Sequence, residues 1–350
     1  MDESRRKFLI AGAAATLFPL VGRGATASAA LPPSLTPINV ILPRQYAPPD
    51  TELDSGFNYR LARATLEFIQ EHYENRFLPT WGKQFREIDL EKRIVNIIYW
   101  IMKGVGRYKS IYPVDPVWIV GQIMAESFFN EFAVSPAFAV GVCQFMPSTA
   151  RSYGMRLYDP EQGRIPELRK YERACALNEY IELRTTWRIL KRDHKVYCLS
   201  QGDQLKAVLQ AVVDGLPVED AEKHLHYLLS KDELERKMKQ AGQAHIEFLK
   251  ANFKDRSIFN SRDLKFLLSF DERVTYRKPV TAMVRMMAEA LRARNGNILA
   301  AAAAYNAGLS RTSAAGLYKP FGRIPGIDET VAYVSRILVN HHQIVRRMNG

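Results

Sequence analysis

The sequence predicts an all-α protein, and two observations carry that prediction. Apolar residues recur at helical spacing over most of the 350-residue chain, as in "NYRLARATLEFIQEHYENRF" (residues 58–77) and "IDLEKRIVNIIYWIMKGV" (88–105). No segment alternates apolar and polar residues over the length of a strand, and no internal repeat is evident. At this length the chain can hold one large domain or two modest ones.

One predicted helix ends at a single carboxylate. The segment "VDPVWIVGQIMAES" (residues 114–127) offers Asp115 as N-cap and Pro116 in the first turn, which is a typical helix start. Its apolar face continues to the C-terminal end, where Glu126 lies among apolar neighbours. We expect these neighbours to raise the pKa of the Glu126 carboxyl, so that it can act as a general acid near neutral pH.

Two more helices are predicted near the end of the chain. An Ala-rich helix ends at Asn306 and Gly308, which together make a natural C-cap. The last helix occupies "GIDETVAYVSRILVNHHQIVRRM" (residues 326–348), with Asp328 or Thr330 as its cap.

Changes in composition divide the chain into four parts. We predict a signal peptide over residues 1–29, a Pro-rich arm over 30–52, a domain formed by 53–156 together with 270–350, and a helical insertion over 157–269. In the insertion, Ser230 and Glu233 have capping-box spacing and predict a helix start at Ser230. Two interpretations of the insertion remain open: it binds a protein partner or the cell wall, or it merely packs on the domain.

The N-terminus has the three parts of a bacterial twin-arginine export signal. Arg5 and Arg6 precede an apolar stretch at residues 8–21, and the small residues Ala27-Ser28-Ala29 follow as a cleavage site. The alternative is a basic tail on a cytoplasmic enzyme. We expect export, with a mature protein that begins at Ala30 and is free in the periplasm or cell envelope.

The formal charge of +12 predicts attraction to an anionic partner such as nucleic acid, anionic lipid or bacterial cell wall. The chain shows no RNP, zinc-finger or homeodomain signature, so no nucleic-acid partner is predicted. We expect the protein to be a monomer.

The cysteines and histidines predict no cofactor. Cys175 and Cys198 can form a disulfide in an oxidising compartment, but three buried thiols, including Cys143, are an equal alternative. His224 and His226 point to different faces of a helix, and the adjacent residues 341–342, both His, lack a thiol or carboxylate at ligand spacing. We therefore predict no metal site.

Three further groups of residues can bind a sugar. The segment "GVCQFMP" (residues 141–147) carries Gln144, an amide that can pair with hydroxyl or N-acetyl groups, and Met146, an apolar contact. "AYNAG" (304–308) places the hydroxyl of Tyr305 beside an amide, and the final helix carries a tyrosine in "ETVAYV" (329–334). Each of these groups taken alone is more typical of ordinary packing.

Taken together and in this order, the motifs are specific. The sequence "ES", "VSPAFAVG", "CQFMPSTA", "AAYNAG" and "ETVAYV" resembles the soluble lytic transglycosylase (SLT) family, lysozyme-like enzymes that cut bacterial peptidoglycan. The resemblance covers about residues 110–156 and 272–340. It implies a lysozyme-like (goose-type/SLT) helical domain that carries a large helical insertion.

The resemblance also implies why one carboxylate is enough, although a glycosidase normally uses two. In that family the Glu protonates the bond between N-acetylmuramic acid (MurNAc) and N-acetylglucosamine (GlcNAc). The same Glu then accepts the proton of the MurNAc 6-hydroxyl, which closes on the anomeric carbon and leaves a 1,6-anhydro end. An intramolecular nucleophile of this kind has a very high effective concentration.

The family's site residues carry over position by position. Glu126 matches the catalytic acid/base, and the resemblance implies a supporting or substrate-binding role for six other residues: Ser127, Gln144, Met146, Tyr305, Asn306 and Tyr333. Cys143 stands where the family usually has Met, and about 110 residues replace a short connection after "STA". The long insertion puts substrate access in doubt and leaves the catalytic centre intact.

Two alternative functions remain. A goose-type lysozyme would hydrolyse the same bond with water and would need a second carboxylate in the cleft. Glu131 and Asp159 are the candidates for that carboxylate, and we predict that both are surface residues. The other alternative is an inactive scaffold that binds the cell wall and recruits a partner through residues 157–269.

Overall fold

The computed structural model describes residues 55–194, 201–215, 221–313 and 326–349. These residues form eleven α-helices and little strand, which confirms the all-α prediction. The helices are α1 (Ser55–Tyr73), α2 (Leu90–Tyr108), α3 (Pro116–Ser127), α4 (Pro147–Ser152), α5 (Ala176–Asp193), α6 (Gln201–Val213), α7 (Ala221–Phe253), α8 (Ser261–Phe270), α9 (Arg277–Ala293), α10 (Ile298–Ala307) and α11 (Asp328–Asn349). The predicted signal peptide, the Pro-rich arm and Cys198 lie outside the described residues.

Contacts between residues divide the chain into two compact units. Of the described residues, the first unit contains those up to Tyr158 and those from Asp255 onward, and the second contains those within Asp159–Lys254. Helix α8 therefore groups with the first unit, although the sequence placed it inside the predicted insertion. Among the described residues, no helix combines the length and the apolar character that crossing a membrane requires.

The helix start predicted at Ser230 is wrong. Helix α7 runs through this position without interruption. It packs along α5, and Tyr227, three residues before Ser230, is buried and stacks on the ring of His194 with 5.4 Å between centroids. Because this packing continues on the N-terminal side of Ser230, the capping-box spacing does not start a helix there.

Helix α3 forms the centre of the first unit. Asp115 caps it through the backbone N–H of Val117, and Pro116 occupies the first turn, as predicted. The helix packs against α11 and α2. At Gly121 the backbone of α11 comes so close that an added Cβ would lie 3.3 Å from the backbone nitrogen of His341. Helix α3 is therefore fixed on both sides, and its C-terminal end has a defined position.

Helix α10 is buried along its whole length. All ten of its residues are buried, and it packs against α9 and α11. The run of Ala side chains allows both neighbours to approach closely, since Ala adds little volume beyond the backbone. The helix ends at Gly308, which has φ +96°, in agreement with the predicted C-cap.

A short hairpin holds the end of α3. Strands β1 (Phe77–Leu78) and β2 (Lys83–Gln84) pair antiparallel. In the turn between them, the indole N–H of Trp81 donates to the carbonyl of Phe128 at 2.9 Å, and the carbonyl of Thr80 accepts from the amide of Asn130 at 2.6 Å. Two-residue strands are too short to show an alternating pattern, which is why the sequence did not predict them.

A buried ion pair holds the loop that follows α3, residues 133–146. The side chains of Asp271 and Arg273 are 2% and 1% exposed, and Nη2 of the arginine lies 2.7 Å from Oδ2 of the aspartate. Nη1 of Arg273 donates to the carbonyl oxygens of Phe138 and Phe145, at 2.8 and 3.0 Å. One guanidinium thus ties together two points of the loop that are seven residues apart.

The backbone of Arg273 also explains why Gly141 is needed in this loop. Gly141 has φ +84°, and a Cβ added there would lie 2.0 Å from the carbonyl oxygen of Arg273. No side chain fits into that space without moving the backbone of one of the two segments.

We expect Gly141→Ala to lower the free energy of unfolding by about 3 kcal/mol or more, because the clash with the Arg273 carbonyl adds to the positive-φ strain. Gly154→Ala is the matched control: Gly154 has φ +73° but no atom within 4 Å of its added Cβ. The control should lose about 1 kcal/mol, the strain alone. Chemical denaturation measures both values, and equal losses would contradict the role assigned to the close contact.

We expect Arg273→Met to lower the free energy of unfolding by about 3–5 kcal/mol, because Asp271 would remain buried and without its partner. The double variant Arg273→Met/Asp271→Leu should be more stable than Arg273→Met, because no buried charge remains. Chemical denaturation of the single and double variants tests this order, and the reverse order would argue against the ion pair as the cause. Arg63→Met, which breaks an exposed pair with Glu67, serves as the control and should change little.

Candidate functional site

Glu126 lies at the C-terminal end of α3, as the sequence predicted. The helix ends there because Phe128 and Phe129 both take left-handed backbone angles, with φ of 52° and 61°. The N–H of Phe128 still donates to the carbonyl of Met124 at 3.0 Å, which closes the last turn. Glu126 is half-buried, and its Oε1 atom is buried. The carboxylate is therefore held at the rim of the core by a rigid helix.

Two buried polar side chains, one on α11 and one on α3 itself, lie near Glu126. Tyr333 of α11 is 0% exposed, and burial together with the charge of Glu126 raises the pKa of its hydroxyl well above its usual value. Gln122 is also fully buried and faces the Tyr333 hydroxyl. Tyr333 therefore stays neutral, and polar groups lie buried beside the carboxylate.

Gln122 was missed at the level of the sequence, although a signal existed. It lies four residues before Glu126, so the two side chains project from the same face of α3. A lone amide on that face of an otherwise apolar helix is the pattern that could have identified it.

Ser127 and Gln144 both hold the 133–146 loop. The hydroxyl of Ser127, which is buried, donates to the carbonyl of Val142 at 2.9 Å. The side-chain amide of Gln144 donates to the carbonyls of Gly141 and Ala133 at 2.8 and 3.3 Å. These bonds fix the loop against the end of α3, and the substrate contacts expected of the two residues stay predictions.

Tyr305 is joined to the same loop. Its hydroxyl donates to the carbonyl of Cys143 at 2.8 Å, and its ring makes an edge contact with Phe145, with 6.2 Å between centroids. Cys143 itself is fully buried, and burial, with the nearby charge of Glu126, raises the pKa of its thiol well above the usual value. Helix α10, the loop and the catalytic candidate on α3 therefore meet at Cys143.

The side chain of Asn306 forms hydrogen bonds with residues of α11. Its Oδ1 accepts from the hydroxyl of Thr330 at 2.8 Å, and its Nδ2 lies 3.4 Å from Oε1 of Glu329. Glu329 is 7% exposed and is a buried carboxylate next to a predicted site residue. Glu329 is the first residue of the motif "ETVAYV", and the sequence alone predicted no role for it.

Met146 is half-buried at the start of α4, directly before Pro147. It is the N-cap residue of that helix and continues the loop beyond Phe145. The structure thus brings Glu126, Ser127, Gln144 and Tyr305 to one loop, whereas the amide of Asn306 contacts the first turn of α11.

The prediction that Glu131 is a surface residue is wrong. Its side chain is 0% exposed, and Arg93 donates to it through Nε at 2.9 Å and through Nη2 at 2.8 Å. The partner lies 38 residues earlier in α2, so the sequence gave no sign of the pair. Asp159, in the second unit, is half-exposed and accepts from the N–H of Glu161 at the start of a 3₁₀ turn.

The described residues contain no group of three His, Cys, Asp or Glu side chains arranged to hold a metal ion. His341 does have a carboxylate neighbour that the sequence did not reveal: its Nε2 lies 2.8 Å from Oδ2 of Asp115. Cys175 is exposed, and its pairing with Cys198 stays untested because Cys198 lies outside the described residues.

We expect the Cys143 thiol to resist alkylation in the folded protein, because it is fully buried and its raised pKa leaves little reactive thiolate. With a reductant present, iodoacetamide at pH 8 should label Cys143 at least about a hundredfold more slowly than the exposed Cys175. Site-resolved mass spectrometry measures the two rates, and denaturant should abolish the difference. Equal rates in the native protein would show that the region around Glu126 is open to solvent.

One comparison with known proteins identifies a family that the chain is similar to. Searches of the curated proteins and of the solved structures found no significant match to the chain. The family model described as the transglycosylase SLT domain matches residues 105–168. That segment includes all of α3 and the whole 133–146 loop, so it contains Glu126, Ser127, Gln144 and Met146. The match supports the SLT family, whose members are lytic transglycosylases with a lysozyme-like, all-α domain.

Proposed function

We propose that the chain is a lytic transglycosylase that cleaves the MurNAc–GlcNAc β-1,4 bond of peptidoglycan. The observation that carries the proposal is the position of Glu126: a carboxylate at the end of a buried helix, inside the segment that matches the SLT domain. Buried polar groups on α3 and α11 adjoin it, which is the environment that a single acid/base requires.

In the proposed reaction, Glu126 first gives its proton to the glycosidic oxygen, and GlcNAc leaves with that oxygen as its 4-hydroxyl. The ionised Glu126 then takes the proton of the MurNAc 6-hydroxyl, whose oxygen bonds to the anomeric carbon. Glu126 ends protonated as it began, and no water is consumed. The product is a 1,6-anhydro ring, formed by a nucleophile that is already part of the substrate.

The other residues have supporting roles in this proposal. Tyr333, kept neutral by its raised pKa, can donate a hydrogen bond to the carboxylate when Glu126 is ionised. Tyr305, Ser127 and Gln144 hold the loop in place beside Glu126. Met146 and Asn306 are proposed to contact the glycan. The substrate supplies the nucleophile, so a second protein carboxylate is not required.

The proposal includes export by the twin-arginine route and action as a monomer in the periplasm. The order of the twin arginines, apolar stretch and cleavage site supports export. We also propose that the insertion, residues 157–269, binds a protein partner. Its length and the absence of any catalytic motif in its sequence support this role.

We expect Glu126→Gln to reduce the release of anhydro-muropeptides by about a hundredfold to ten-thousandfold, the range typical of a lost general acid/base. The mature protein from Ala30 would be incubated with purified peptidoglycan, and mass spectrometry would identify the products. Glu233→Gln, a change at a half-exposed carboxylate in α7, is the control and should retain full activity.

The products also separate the alternatives. Reducing ends in place of anhydro ends would indicate hydrolysis, as in a goose-type lysozyme, and Glu329→Gln would then test the buried carboxylate beside Asn306 as the residue that activates water. Binding to the wall without any release of product, in the wild type and in Glu126→Gln alike, would support the inactive scaffold and overturn the proposal.

A further inference from the structure

A surface of the first unit combines basic and aromatic side chains. We call it the α2–α9 surface, and it consists of Tyr99, Trp100, Lys103, Arg107, Arg277 and Arg285. It belongs to two helices that pack against each other within one unit.

Helix α2 supplies one row of this surface. Tyr99, Lys103 and Arg107 follow each other at intervals of four residues, so they lie on one face along about 12 Å of helix. All three are exposed, and Tyr99 is 50% exposed. The ammonium group of Lys103 lies 5.8 Å from the centre of the Tyr99 ring.

Helix α9 supplies the second row, which runs in the same direction as the row on α2. The guanidinium of Arg277 lies 5.9 Å from the centre of the Trp100 ring. Eight residues later, Arg285 is close enough to Tyr108 for its charge to interact with that hydroxyl. Because Tyr108 also lies eight residues after Trp100, the two rows run side by side over about 12 Å.

The two chain segments that form this surface contain many basic residues and no acidic ones. Residues 92–114 contain five Lys or Arg residues and no Asp or Glu, and residues 277–288 contain three Lys or Arg residues and no Asp or Glu. Glu289 comes next and bonds to Arg285 and to the hydroxyl of Tyr153. By contrast, residues 159–254 contain 17 basic and 16 acidic residues, so the +12 charge of the chain lies almost entirely outside the second unit.

One end of the surface is joined to the candidate site through aromatic rings. The guanidinium of Arg285 lies 5.4 Å from the centre of the Tyr153 ring. That ring is 6.1 Å from the ring of Phe145, which in turn is 6.2 Å from the ring of Tyr305. The surface and the candidate site are therefore linked by continuous side-chain packing within the first unit.

We propose that the α2–α9 surface is an accessory binding surface for the anionic peptide stems of a peptidoglycan strand. Lys103, Arg107 and Arg277 would contact the carboxylates of the stems, and the rings of Tyr99 and Trp100 would contact sugar faces. Exposed cations of one sign attract an anionic polymer and raise its local concentration. The proposal rests on the proposed function, because it takes peptidoglycan as the substrate.

The test measures binding separately from cleavage. The mature chain with Glu126→Gln would be sedimented with purified, insoluble peptidoglycan at several salt concentrations. Adding Lys103→Gln, Arg107→Gln and Arg277→Gln should weaken binding roughly tenfold and flatten its dependence on salt. Adding Tyr99→Ala instead should also weaken binding.

A matched control removes the same charge elsewhere. Lys223→Gln, Lys239→Gln and Lys250→Gln change three exposed lysines of α7 in the second unit and should leave the affinity within about twofold of the parent. Equal losses in the two triple variants would overturn the proposal, since net charge alone would then explain the binding. Circular dichroism and thermal melting of each variant would establish that it is folded.

Two further measurements identify the ligand. Amidation of the stem carboxylates should remove the difference between the parent and the α2–α9 triple variant, and a difference that persists would overturn the proposal. Phosphatidylglycerol vesicles test a lipid surface: vesicle binding that needs these residues, with unchanged binding to peptidoglycan, would also overturn it. Cleavage is assayed with Glu126 intact, so a failure of the proposed function appears in the products and not in these binding results.

Discussion

The buried ion pair between Asp271 and Arg273 holds the arrangement around Glu126. Its guanidinium binds two carbonyl oxygens of the 133–146 loop, and the Arg273 carbonyl lies where a side chain at position 141 would be. Two charges removed from water are stable only when their hydrogen bonds are satisfied, and the loop backbone satisfies those of Arg273. The loop and the residues before α9 therefore have to fold together, although more than 120 residues separate them in the chain.

Polar side chains from several of the motifs donate hydrogen bonds to the backbone of the same loop. Ser127, Gln144 and Tyr305 all donate to carbonyl oxygens between positions 133 and 143. Much of the "ES", "CQFMP" and "AYNAG" pattern is thus explained by the need to satisfy the backbone of an irregular loop in a buried setting. Glu126 differs from these residues, because it is half-buried and faces Tyr333 of α11. A rigid loop whose backbone is held in this way favours chemistry that depends on one well-placed carboxylate.

The net charge differs between the two units. The second unit is close to neutral despite its many charged residues, and pairs such as Arg236–Glu233 and Lys231–Glu235 occur on its helices. The first unit carries the excess of basic residues together with the SLT motifs. Under the proposed function, a surface that concentrates an anionic polymer is most effective on the unit that carries Glu126, since attraction over a few Debye lengths helps only nearby sites.

The sequence by itself determined the helical class, the capping of α3 by Asp115 and Pro116, the end of α10 at Gly308, and Glu126 as the residue at the end of α3. These features depend on spacing and on residues near one another in the chain, so local physical chemistry is enough to predict them. Only the tertiary structure decided the environment of Glu131, which is paired with Arg93 in α2, and the contacts of Gln122, Glu329 and Arg273. It also decided that α7 passes through Ser230 without a break. In each of these cases the deciding partner lies far away in sequence, and burial or a charge pair outweighs the local pattern.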